Sequence, residues 1–423
     1  MQRMIPAVLI LGLCIPSAGA QMDYDQEPIN YSTATPTDEV AQLADRVDRG
    51  EVRLVWDADH GYLRSVLQHL GVSQSSQVLV FSKTSLQVSR ITRRTPRAIY
   101  FSDNVYVGWV QRGDVVELSA ADPQLGGTFY TLSQKPHDHP VIRRETAHCL
   151  QCHSSSHTGR SPGHMVRSVY PDASGLPVYR LGTHLNDDTS PFEERWGGWY
   201  VSGTHGRQRH MGNAFIEDEK ESEELNTEAA ANVTDLSLLV NTAPYLTSHS
   251  DIVALMVLQH QTSIHNVLTA ASHSGRLTAR DALIMNEALQ RPPDFESEST
   301  GRRYASAAEK VVQGLLFCGE YPLNDTVCGT TDFAQEFAAR GPVDTRGRSL
   351  RHLDLRTRLF RYPCSFLIYS EAFRQLPEGV KKIVWKRLDQ ILSGEDTSPR
   401  FSHLSPDDRA AIQEILRDTI PDE

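Results

Sequence analysis

No stretch of this sequence is apolar for the roughly 20 consecutive residues needed to cross a bilayer, so no transmembrane span is expected. Positive charge is also in short supply: 53 Asp and Glu outweigh 42 Lys and Arg, for a net charge of −11. A general nucleic-acid binder would carry a basic surface, so no nucleic-acid partner is expected, and the acidic balance suits a basic protein partner instead. There is no internal repeat, which removes repeat architectures. Only six cysteines occur in 423 residues, and a single pair of them, Cys149 and Cys152, is spaced two apart. A closed zinc site usually draws on a second such pair, and none is present.

The N-terminus has the layout of an export signal. Arg3 supplies positive charge, residues 8–15 an apolar core, and Ala18-Gly19-Ala20 a small-residue cleavage site before Gln21. Removal of residues 1–20 takes away Arg3 and no acid, shifting the net charge from −11 to −12. The mature protein is expected to be periplasmic or secreted. Such an environment permits disulfides, and Cys318 and Cys328 bracket a turn-rich loop that one would close. Cys364 is left over and reads as a core residue.

The most specific feature is Cys149-Leu150-Gln151-Cys152-His153. Two cysteines two residues apart, followed at once by histidine, form the attachment pattern for c-type haem. Each thiolate adds to one vinyl group, and the histidine becomes an axial iron ligand. One covalent haem c is the expected cofactor, held by Cys149, Cys152 and His153, with His153 as the proximal iron ligand. Two other readings compete. Zinc could be ligated by His148, Cys149, Cys152, His153 and His157, or the cysteines could form a redox dithiol.

The distal iron ligand is less defined. Met211, His210 and His164 are the candidates, with an open or water-bound position as the alternative. A methionine suits electron transfer, whereas an open position admits peroxide or small-gas chemistry, with His205 or His210 as acid–base group. Arg207 and Arg209 beside these residues read as surface charges or as partners of the haem propionates. His260 reads as a satisfied core histidine. The arginines between Arg346 and Arg361 read as a solvated helix face.

Along the chain, residues 21–50 read as a mobile leader ending in a helical signal at 38–44, and 51–145 as an α+β domain. Its helix is expected at 62–70, and its strands at 78–81, 98–101, 105–110, 115–118 and 128–132. Residues 146–215 form the haem-binding segment, with brief strands near 167–170, 177–180 and 199–200. Residues 216–235 are an acidic linker. Residues 236–423 are mainly helical: a buried helix from Asp251, a loop over 291–303, and helices at 366–376, 378–392 and from Pro406. The fold class is α+β, with a β-containing N-terminal half, the c-type haem segment at the junction and a mainly helical C-terminal half.

Three segments together resemble a family of large exported bacterial proteins defined by a single cytochrome c motif. They are residues 149–153, the stretch Glu193-Glu194-Arg195-Trp196-Gly197-Gly198-Trp199-Tyr200-Val201-Ser202-Gly203-Thr204-His205-Gly206, and Arg361-Tyr362-Pro363-Cys364-Ser365-Phe366-Leu367-Ile368-Tyr369-Ser370. The resemblance implies one covalent haem outside the cytoplasm and no particular substrate. Size and export also resemble the bacterial dihaem peroxidases, but those need two CxxCH motifs and this chain has one. The expected function is electron transfer to a redox partner protein. The alternatives are a peroxidase-like haem enzyme or gas sensor with an open distal site, and a zinc-stabilised exported structural protein.

Overall fold

The computed structural model describes residues 23–217 and 224–420. The expected export signal and residues 218–223 of the acidic run lie outside the described residues. In chain order the N-terminal half contains helices α1 (Glu39–Asp48) and α2 (Leu63–His69), then strands β1 (Val78–Val80), β2 (Arg97–Phe101), β3 (Val105–Val110), β4 (Val115–Asp122), β5 (Gly126–Ser133) and β6 (Ile142–Arg144). The helical turn α3 (Leu150–His153) follows, then β7 (Val166–Val169), β8 (Thr183–Asn186) and β9 (Trp199–Tyr200). The C-terminal half is helical: α4 (Ile252–Ala288), α5 (Glu298–Leu315), α6 (Phe333–Ala339), α7 (Glu371–Arg374), α8 (Glu378–Leu392) and α9 (Pro406–Thr419). The α+β layout expected from the sequence is the one observed.

Seven strands form an antiparallel sheet in the order β6-β5-β4-β3-β2-β1-β9, a meander closed on one side by the late strand β9. Alternation assigns its two faces. Ala98, Tyr100, Val107, Trp109, Val116, Leu118, Tyr130 and Leu132 point one way and are buried with Val40 and Leu43 of α1 and Leu63, Val66 and Leu67 of α2. On the other face Tyr106, Ser119 and Phe129 lie side by side by register. Beyond them Arg97, Glu117 and Thr131 are only half-buried. This second face receives the motif segment.

Helix α4 organises the C-terminal half. Its first three turns, residues 252–262, are buried all round, as a helix without a polar face must be. Asp251 caps it, accepting from the Val253 and Ala254 N–H groups through Oδ1. Its Oδ2 accepts from Thr330 and Thr331, which pins a distant loop to the start of the helix. Helix α5 packs along α4, α8 along α5, and α9 against α8.

Several elements differ from the sequence reading. The leader over 23–50 is packed: Tyr31 is fully buried, its hydroxyl donates to the Gly127 carbonyl at 2.8 Å, and Arg144 reaches the Tyr31 and Ala34 carbonyls. Its prolines and acids concealed three anchors, Tyr24, Ile29 and Tyr31, which form one apolar cluster with Leu125, Phe129 and Leu150. The segment at 177–180 is largely a 3₁₀ turn (Tyr179–Leu181), and the strand follows it as β8. The loop over 291–303 is cut short because Ser297 caps α5 through the Thr300 N–H. The helix at 366–376 is divided at Ser370, which caps α7. The arginine run is not a helix face but a set of ion pairs: Arg346 and Arg348 to Glu414, Arg351 to Asp103, and Arg358 to Asp408.

Candidate haem-attachment site

Cys149 opens a single helical turn, and the Cys152 and His153 N–H groups donate to its carbonyl at 3.2 and 3.0 Å. Positions i, i+3 and i+4 share a helix face, so both thiols and the imidazole lie on one side. Leu150 is buried with Tyr24, Ile29, Tyr31 and Phe129, and Cys149 packs against the same cluster. That contact fixes the orientation of the turn: Cys152 is exposed, Cys149 half-buried, and neither is disulfide-bonded. Burial, then the charges of Glu145 and Glu117, pushes the Cys149 thiol up to about 11. A redox dithiol needs the opposite shift, so the dithiol reading finds no support here.

His153 is held in one orientation. Its Nδ1–H donates to the Gly163 carbonyl at 2.9 Å, while the Gly163 N–H donates back to the His153 carbonyl at 2.8 Å. Burial lowers the imidazole pKa, so the ring is neutral. With Nδ1 protonated, Nε2 carries the lone pair, and it makes no hydrogen bond among the described residues. A histidine whose far nitrogen donates to a backbone carbonyl is the arrangement that metal-ligating histidines adopt.

The carbonyl that orients His153 is itself clamped. Asn266 of α4 accepts from the His164 N–H at 2.9 Å and donates to the His164 carbonyl at 2.6 Å. On the other side the Gly127 N–H donates to the Pro162 carbonyl at 2.8 Å. The two chains approach so closely that a methyl group at Gly127 would lie 2.9 Å from the Gly163 N and Cα, and one at Gly163 would collide with Asn266. Sequence reasoning missed Gly127, Gly163 and Asn266. A glycine required for close approach and an asparagine on a helix carry no motif, and only the Gly126-Gly127 pair hinted at a contact.

His164 stacks on Tyr106 at 4.4 Å, and its Nε2 pairs with the Ser119 hydroxyl at 3.0 Å. It lies 6.4 Å from His153, centre to centre, with the Phe129 ring 4.7 Å from His153 and 5.5 Å from His164. Phe129 thus packs against both imidazoles.

Met211 and His210 belong to a different cluster. The Met211 sulfur accepts from the Ser168 hydroxyl at 3.4 Å. His210 packs on Trp196 at 5.3 Å and His205 at 4.5 Å, and burial followed by His205 drives its pKa down to about 3. Neither shares a hydrogen bond or ring contact with His153 among the described residues. His205 has both ring nitrogens engaged, Nδ1 donating to the Gln208 carbonyl and Nε2 accepting from the Asn232 N–H, which leaves neither nitrogen free for a substrate. Arg207 and Arg209 pair with Asp325 and Glu228 at the surface.

No three His, Cys, Asp or Glu side chains among the described residues group so as to hold a metal ion. His148 and His157 are exposed, so the ligand set needed by the zinc reading is not assembled. Cys318 and Cys328 are free thiols, which corrects the expected disulfide. Cys328 is held as an extended partner of Thr204, through reciprocal 2.9 Å backbone bonds, while Cys318 follows the end of α5 with its N–H on the Gln313 carbonyl. Cys364 is a core residue, its thiol pushed up to about 12 by burial. His260 is satisfied on both nitrogens, by Asp188 at 2.7 Å and Ser365 at 2.8 Å.

Beside the motif, on the half-open sheet face, Arg97 and Glu117 pair at 2.7 Å and both act on His153 through charge. Gln87 bonds Glu117 at 3.0 Å, and its neighbours Leu86 and Val88 are 56% and 43% exposed. No helix among the described residues is long and apolar enough to cross a membrane. No protein-family model matches the chain, and neither a curated protein nor a solved structure matches it.

Proposed function

We propose that this protein is an exported monohaem c-type cytochrome that carries electrons to and from a redox partner protein. The observation that carries the reading is the bond from His153 Nδ1 to the Gly163 carbonyl within the turn that presents Cys149 and Cys152. Together these supply two attachment thiols and one pre-oriented imidazole with a free Nε2. When bound, haem would supply an iron that alternates between ferric and ferrous states. Cys149 and Cys152 would hold it covalently and His153 would ligate it. Arg97, whose charge acts on His153, would be a cation available to a propionate.

One observation favours a second reading. Met211 and His210 make their contacts with Ser168, Trp196 and His205, and the His164 Nε2 is engaged by Ser119, which suits a sixth position open to small ligands and hence a haem enzyme or gas sensor. Expression with the export signal and a cytochrome c maturation system tests both. A sharp c-type α-band, lost in Cys149→Ala with Cys152→Ala, supports the cytochrome. A colourless product from the same system overturns it. Resistance of the ferrous protein to carbon monoxide supports electron transfer, and ready binding moves the assignment to the open-site reading.

A further inference from the structure

A cleft of about 380 Å³ lies behind the motif loop, between that loop, α4 and α5. It exists because the facing helix surfaces carry small side chains there, Ala270 and Ala271 on α4 and Ala307 on α5, where larger ones would close the gap. Met165 and Val267 complete an apolar floor. The volume falls in the range of small-molecule sites, which are mostly apolar with a few placed polar groups.

Two cations, Arg303 and Lys310, stand among the polar groups of the lining, in a protein whose net charge is −11. Arg303 and Lys310 line the cleft from α5, seven residues and two turns apart, hence on one face. Lys310 has no anionic partner among the described residues, and Arg303 shares Asp281 with Arg280. The single carboxylate in the lining, Asp187, has one oxygen engaged in its own turn, Oδ1 accepting from the Thr189 N–H and hydroxyl at 2.8 and 2.7 Å. The Ser263 and Ser306 hydroxyls make no hydrogen bond among the described residues and stand ready to serve a ligand oxygen.

We propose that this cleft binds a small amphipathic carboxylate, its apolar body on Val267, Ala271 and Ala307 and its charge toward Lys310 and Arg303. The site is independent of haem, yet its wall includes Asn266 and His164, the clamp behind the His153 hydrogen bond. Occupancy would therefore stiffen the motif loop.

Calorimetric titration of the full mature protein with benzoate, and with benzamide as its neutral isostere, tests the proposal. Benzoate should bind saturably with a Kd on the order of 1 mM or tighter, and benzamide about tenfold more weakly. Lys310→Met should remove that difference, and Ala271→Phe, which fills the cleft, should abolish both, with unchanged melting curves showing that the variants fold. Absence of saturable benzoate binding overturns the proposal, as does binding that survives Ala271→Phe in a folded protein. Hydrogen exchange at the His164 amide reads the link to the loop: slowing on benzoate addition supports it, and unchanged exchange removes it. Because none of these measurements requires haem, their failure leaves the cytochrome reading standing, and the reverse also holds.

Discussion

Alanine at Gly127 is the sharpest probe of how the motif is supported. The added methyl would lie 2.9 Å from the N and Cα of Gly163 and 3.2 Å from its carbonyl carbon. Backbone stands on both sides, so no side chain can rotate away. Residue 127 is paired with Ala121 inside the sheet, and the segment free to yield is therefore the loop at 162–164. Overpacking of this kind costs about 1–3 kcal/mol, and loss of the Gly127–Pro162 bond adds about 1 kcal/mol. The expected loss is thus about 2–4 kcal/mol in urea unfolding followed by circular dichroism. As the Gly163 carbonyl withdraws, His153 loses its acceptor, and the midpoint potential of the proposed haem, once it is loaded, should move. Gly71→Ala is the control: φ is +63° with nothing within 4 Å, so only backbone strain of about 1–2 kcal/mol is expected, with no change in potential. The reasoning fails if Gly127→Ala costs less than about 0.5 kcal/mol, or if it costs stability while the potential stays fixed.

Asp38 ties α1 to the sheet, capping Val40 and Ala41 and accepting from Tyr130 at 2.5 Å and Thr128 at 2.9 Å. Asp38→Ala should lower stability by about 2–4 kcal/mol, and pairing it with Tyr130→Phe in a double-mutant cycle should cost less than the sum. Burial, then the charge of Asp188, pushes the Glu320 carboxyl from 4.5 up to about 7. The folded state therefore holds that proton more tightly, and the protein loses stability as pH rises between about 4.5 and 7, by about 1–2 kcal/mol after discounting for solvent. Glu320→Gln should flatten that slope, seen as a Tm gain at pH 8 that is absent near pH 4; an equal gain at both would defeat the assignment. Thiol titration of the haem-bearing protein should find Cys328 reacting first, Cys318 more slowly and Cys364 only on unfolding, and a count showing Cys318 and Cys328 unreactive in denaturant would restore the disulfide.

What could be read from the sequence follows the range of the interactions that encode it. The sheet was legible because its strands carry runs such as Val105–Val110 between turn signals, and adjacent strands pair with adjacent strands. Helix α9 was legible from Ser405 and Pro406, and the cap is present with a reciprocal bond from Asp408. Failures arise where a residue's partner is far along the chain. Tyr31 looked like part of a polar tail because its contacts are Gly127 and Leu150, about a hundred residues on. Helix α5 was obscured by Pro292 and Pro293 in the connection before it, although Ser297 restarts the helix.

The motif shows the same division at close range. Covalent attachment needs two thiols and an imidazole on one turn, so five consecutive residues state it. Orientation of that imidazole needs only a carbonyl, which every residue possesses, and Gly163 is chosen for the side chain it lacks. Met211 is a distal candidate by residue type alone. The chain between it and the motif forms β7, β8 and β9, and its sulfur accepts from Ser168. A ligand that must reach across a cofactor is set by topology, and no local pattern in residues 154–211 carries that information. If the proposed haem is bound, its sixth position decides between the two readings, and carbon monoxide binding to the ferrous protein is the observation that separates a carrier from a catalyst.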